Sequence, residues 1–436
     1  MTSGFGFLGG AQGRLLPASL PFRFFAAAAV FHVLLWLVLL LVSDHLTSFR
    51  GGLAPALAGV HLLVLGVLTT TAIGAAAQLL PVATRRALVA QWPIRLVFWT
   101  FVPGLTLLIA GMYFVRIPLI IGGAAASAFG LVLFAMLLGD NLRRAGGLPV
   151  VAAYGWTALL ALLGVAALGV ALSLDFLRGF LPDPFAVARA HMILGAYGFM
   201  GMLALGFSHI LIPMFALSSA PRRRPATLGF AVAAAGIAVG VLGALLDRPG
   251  LLTAAAVLGL AAAGIHIAIM QRALKTGMRK RQGLSFVLVR AAWASLLLSL
   301  IVGLAAVNDR AGPNGPALFG LILLGGWLLT FLLGVLQRIL PFLASMHAAG
   351  PSSASPPRLS ELGGTMPLKV HAVCHGLALV GLTSAILITS PAIARAASGI
   401  GLAGAIAFAV FTGGVLRRVV SVPRGSKTGT GPNAPA

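Results

Sequence analysis

Stretches of about 20 apolar residues, each long enough to cross a bilayer as a helix, recur along almost the whole of this sequence and leave it one kind of fold. In hydrocarbon every backbone amide must find its partner inside its own segment, so such a chain folds as a bundle of membrane-spanning helices. Spans are expected at 22–44, 55–82, 94–115, 117–139, 149–173, 185–217, 226–246, 250–274, 284–307, 316–345, 367–391 and 396–420, one all-α polytopic domain over residues 1–421. Residues 422–436, rich in Gly, Pro, Ser and Thr, read as a flexible cytoplasmic tail. Composition agrees, since 59% hydrophobic and 8% charged residues exclude a soluble domain. No small-residue cleavage site follows the first span, which reads as a retained helix.

Charge sets the expected topology, because Lys and Arg near span ends stay on the cytoplasmic side. With the N-terminus inside, that side takes Arg14, Arg23, Arg85, Arg86, Arg143, Arg144, Arg222, Arg223, Arg224, the cluster from Arg272 to Arg281, and Arg417 and Arg418. Asp44, Asp175, Asp183, Asp247 and Asp309 then lie outside. Both termini are cytoplasmic, in an inner membrane. The net charge of +23 is therefore a topology signal with anionic-lipid contact, and does not point to nucleic acid. A single cysteine, Cys374, excludes an intrachain disulfide.

The spans repeat. "HLLVLGVLTTTAIGAAAQLLP" (61–81), "AHMILGAYGFMGMLALGFSHILIPMFAL" (190–217) and "LILLGGWLLTFLLGVLQRILP" (321–341) align on Pro81, Pro213 and Pro341. Each then has glycine seven residues before the proline (Gly74, Gly206, Gly334) and fifteen before it (Gly66, Gly198, Gly326). Polar residues recur just ahead of the proline: Gln78, His209, and Gln337 with Arg338. The spacing implies three pseudo-repeated four-helix units, with spans two, six and ten equivalent. Glycines about two turns apart leave one helix face thin, for a neighbouring helix or for a flat cofactor.

An imidazole in hydrocarbon needs a hydrogen bond, a metal or an escape to the interface. His61 and His191 sit near the outer ends of spans two and six. His371 and His375 lie at i and i+4 on span eleven, a spacing that lets two rings share a metal or lie beside one haem. His347 and His209 are candidates to approach that pair from the inner side, with His209, in the polar place before the proline, reading first as an inner-interface residue. His32 and His266 are spare ligand candidates that read first as helix–helix hydrogen bonds, and His45 reads as solvated.

Twelve spans in three units of four, with histidines near the outer ends of spans two and six, resemble the haem-copper oxidase subunit I superfamily. The start "PFRFFAAAAVFHVLLW" (21–36), followed by a His-initiated, Gly-rich second span, more specifically resembles the NnrS family of haem- and copper-associated membrane proteins linked to nitric oxide metabolism. The resemblance implies a haem of b type, copper as a second metal, and other membrane or redox subunits as partners. It implies His61 as an axial ligand and His191 near a metal, while His371, His375 and His347 are further candidate donors by their own spacing and position. Departures bound the function: span seven lacks the adjacent histidine pair, span ten has no histidine in its body, and Tyr197 falls six residues after His191. All seven acids map to loops or interfaces, so a proton-pumping oxygen reductase is not expected. Turnover stays open, and an assembly or sensing partner on the same scaffold is the alternative. A secondary transporter fits less well, because six-span halves and midplane carboxylates are missing.

Overall fold

The computed structural model describes residues 15–88, 90–279, 282–348 and 365–420. Twelve helices there are long and apolar enough to cross a membrane, and no strand occurs among the described residues. They are α1 Ser19–Leu41, α2 Pro55–Thr84, α3 Trp92–Tyr113, α4 Ile117–Arg143, α5 Pro149–Arg178, α6 Pro184–Ala216, α7 Arg223–Leu245, α8 Pro249–Thr276, α9 Gly283–Val307, α10 Gly315–His347, α11 Thr365–Ile388 and α12 Pro391–Val420. Proline stands in the first turn of most of them, where its missing N–H is one the helix start leaves unpaired anyway. The last helix starts five residues before its expected boundary for that reason, at Pro391. The expected tail at 422–436 lies outside the described residues.

The threefold repeat is a structural fact. In α2, α6 and α10 between 67% and 78% of the membrane window is buried inside the protein, against 17% to 44% in the other nine, so these three form the centre. Around them, α4 packs on α5, α8 on α9, and α12 on α1, which closes the ring. Within each unit the third and fourth helices form a tight hairpin turning on a left-handed residue: Val115 (φ 53°), Asp247 (φ 48°) or Thr389 (φ 55°). The residue after it closes the turn by donating its amide to a carbonyl five residues back, Arg116 to Gly111, Arg248 to Gly243 and Ser390 to Ala385.

Each central helix contains a π-helical stretch: Leu62–Thr69, Leu194–Gly201 and Leu321–Leu329. All three end twelve residues before the repeat's proline. The glycine spacing explains them. Gly74 and Gly66 abut Phe24 and Phe31 of α1, Gly206 and Gly198 abut Tyr154 and Ala161 of α5, and Gly334 and Gly326 abut Leu288 and Ser295 of α9. A Cβ on any of these glycines would come within 2.7–3.1 Å of its partner's Cβ. The partners are seven residues apart, two α-helical turns, whereas the glycines are eight apart. Eight residues would turn the second glycine off the seam, and the wider π turn absorbs the extra one. Threonines satisfy carbonyls of the widened turns: Thr69 donates to Val64 O (2.7 Å), Thr70 to Leu65 O (2.9 Å) and Thr330 to Gly325 O (2.8 Å). The thin glycine faces are thus filled by the preceding helix in all three units, which decides between the two readings open from sequence.

Candidate functional site

Eight of the nine histidines lie on the spanning helices, and the fold gathers seven of them into three groups. His45 is exposed at the end of α1, as expected. His347 is the one spanning histidine outside the groups. Its Nδ1 faces Leu343 O at 2.8 Å and its Nε2 faces Leu16 O at 3.0 Å, with Phe22 as its ring neighbour. Each nitrogen faces a carbonyl, and the one that carries the proton donates, so the ring sits between the end of α10 and the segment before α1. The expected approach of His347 and His209 to His371 and His375 does not occur.

The first group is His61 and His191, partly buried, brought from different units to face each other. Their ring centroids are 6.5 Å apart and their planes 27° from parallel. His61 ends the α-helical start of α2, and the π stretch begins at the next residue. Its Nδ1 lies 3.1 Å from Leu57 O. A carbonyl only accepts, so Nδ1 carries the proton and Nε2 keeps its lone pair. His191 Nδ1 is buried without a hydrogen-bond partner. Gly169 of α5 makes room for this ring, since a Cβ there would lie 3.1 Å from His191 Cε1.

The second group is His32, His371 and His375, all buried, on α1 and α11. His371 lies 5.9 Å from His32 and 5.7 Å from His375 between ring centroids. His32, a spare candidate read first as a helix–helix hydrogen bond, is part of this cluster. Its mid-helix position in α1 puts the cluster deeper in the bundle than the inner end from which α11 was read. Hydrogen bonds assign the protons. Trp36 Nε1, which can only donate, reaches His32 Nε2 at 3.2 Å, so the His32 proton sits on Nδ1. His371 Nδ1 donates to Gly404 O at 3.1 Å, leaving a lone pair on Nε2. Thr330 gives its one proton to Gly325 O and can only accept from His375 Nε2 at 2.8 Å, leaving a lone pair on His375 Nδ1. The three remaining nitrogens, one N–H and two lone pairs, have no hydrogen-bond partner. Phe408 of α12 closes one side, its ring 4.9 Å from that of His371.

The third group joins His209 of α6, His266 of α8 and Tyr154 of α5. The His209 ring lies 5.4 Å from each of the other two. His209 is buried inside the bundle, with the His266 ring of α8 against it, and so is not open to water at the end of its span.

Among the described residues Asp44, Asp140, Asp175, Asp183, Asp247 and Asp309 are exposed or half-buried at helix ends and turns, and the seventh acid, Glu361, lies outside them. Asp140 is held by Arg143 and Arg144, Asp247 by Arg189, and Asp44 by Arg395. Among the described residues no three His, Cys, Asp or Glu side chains are grouped so as to hold a metal ion. What the sequence signalled poorly was partnership: nothing in the spacing linked His32 to α11, or His209 to His266, since each contact crosses between helices distant in sequence. The chain matches no known family model and no curated protein.

Proposed function

We propose that the chain is a haem-binding protein of the bacterial inner membrane, its Arg-rich face cytoplasmic, working in nitric oxide or respiratory metabolism. The observation that carries the reading is the separation of His61 and His191. An imidazole nitrogen binds a first-row metal at about 2.0–2.1 Å, and with a ring radius of roughly 1.1 Å two rings trans on one iron have centres about 6.3 Å apart. The observed 6.5 Å and near-parallel planes agree with that value. The donor count agrees as well. A porphyrin supplies four donors to its iron and asks the protein for one or two imidazoles, whereas a three-imidazole copper centre needs a grouping that the described residues lack.

A haem held by His61 and His191 would supply one-electron chemistry, and with both histidines bound it would leave no position for a substrate. His61, locked by Leu57 O with Nε2 free, is oriented in the way ligating histidines are oriented by their other ring nitrogen. His191 is held in the space that Gly169 leaves. Electron transfer or sensing therefore suits this pair better than oxygen or nitric oxide turnover.

The test is the haem content of the detergent-purified protein. About one b-type haem per chain is expected, lost in both His61→Ala and His191→Ala and kept in His347→Ala. A colourless preparation, or haem content indifferent to both substitutions, overturns the reading.

A further inference from the structure

The group at His209 and His266 plays no part in the haem proposal and has its own unmet chemistry. His266 is 1% exposed, and neither of its ring nitrogens has a hydrogen-bond partner. His209 donates Nδ1–H to Leu205 O at 2.9 Å, which leaves an unbonded lone pair on Nε2. Two buried imidazoles thus present three unsatisfied nitrogens inside a membrane bundle, an arrangement that is costly unless something binds there.

Geometry says what fits. Ring centres lie about 3.2 Å from a metal that their nitrogens share, so centres 5.4 Å apart subtend roughly 120° at the metal, the angle of trigonal coordination. The third position falls to sulfur. Met270 follows His266 by one helical turn on the buried stripe of α8, and is 0% exposed. Contacts at the ends of α6 and α8 set their register: Arg279 N donates to Ala216 O, and a Cβ on Gly277 would strike Ala216. Counting seven residues back along each parallel helix puts Met270 level with His209. Tyr154 walls the opposite side, its ring on His209, its Cβ seated on Gly206, and its outer edge covered by Phe230.

Charge selects the ion. No carboxylate or thiolate belongs to this group, so a bound cation keeps its full charge in a low-dielectric interior. The Born cost rises with the square of charge, about four times higher for a divalent ion than for a monovalent one. Copper(I) is monovalent, accepts three-coordinate geometry, and takes both imidazole and thioether donors. We propose that His209, His266 and Met270 form a buried copper(I) site, separate from the histidines assigned to haem. Binding needs no redox step and no proton release, since both imidazoles are neutral donors.

The test is anaerobic titration of the detergent-purified full chain with copper(I) against bathocuproine disulfonate, with X-ray absorption at the copper edge. One tightly held equivalent is expected, retained in His61→Ala and in His371→Ala and lost in His266→Phe. Met270→Leu conserves volume and fold, and should weaken binding by about tenfold or more while removing the sulfur scattering. An equivalent that survives His266→Phe, or that vanishes with His371→Ala instead, overturns the site. A sulfur signal that persists in Met270→Leu overturns the assignment of Met270. Haem content is read in the same samples, so failure of the haem proposal leaves this result interpretable.

Discussion

At the scale of single residues, the imidazoles of His32, His371 and His375 are fixed by neighbours that can act in one direction only. Trp36 donates and never accepts, a carbonyl accepts and never donates, and Thr330 has one proton, which goes to Gly325. Thr330→Val would leave both Gly325 O and His375 Nε2–H without partners in a dry interior. It should cost about 2 kcal/mol or more, read as a lower unfolding temperature in detergent. Gly401 lets α12 press against the Trp36 ring, where a Cβ would overlap ring carbons of a fully buried side chain. Gly401→Ala should therefore destabilise by about 1–3 kcal/mol, whereas Gly376→Ala, with open space around the added carbon, should be neutral or mildly stabilising. The same thermal measurement compares the two.

At the scale of elements, the eight-residue spacing of Gly66 and Gly74, Gly198 and Gly206, and Gly326 and Gly334 was visible in sequence, and so was the threefold unit that it marks. The π turn that the spacing requires was not, because its cause is the seven-residue spacing of the partners on the preceding helix. Gly206→Leu should disrupt the α5–α6 seam by driving a side chain into Tyr154, costing about 3 kcal/mol or more, and the equivalent changes at Gly74 and Gly334 should behave alike. The hairpins offer the opposite sign. Val115 is β-branched at φ 53°, a conformation disfavoured for L-residues by roughly 1–2 kcal/mol, so Val115→Gly should raise the unfolding temperature.

At the scale of the molecule, hydropathy alone placed twelve helices to within a few residues, because a lipid environment leaves little choice of structure. It did not tell which side chains meet. His61 and His191 come from different units and face each other only because α2 and α6 share the centre of the bundle. His209 looked interfacial because its depth is readable from span length, while its covering by α8 depends on the closed ring of units. The central claim is that one haem iron sits between His61 and His191. Low-temperature electron paramagnetic resonance with near-infrared magnetic circular dichroism of the oxidised, purified protein tests it most directly. The account predicts a low-spin ferric haem with a bis-imidazole charge-transfer band, converted to high spin or lost when either His61 or His191 is changed to Ala. A haem with a different axial ligand pair, or a bis-imidazole signal unaltered in both variants, would contradict it.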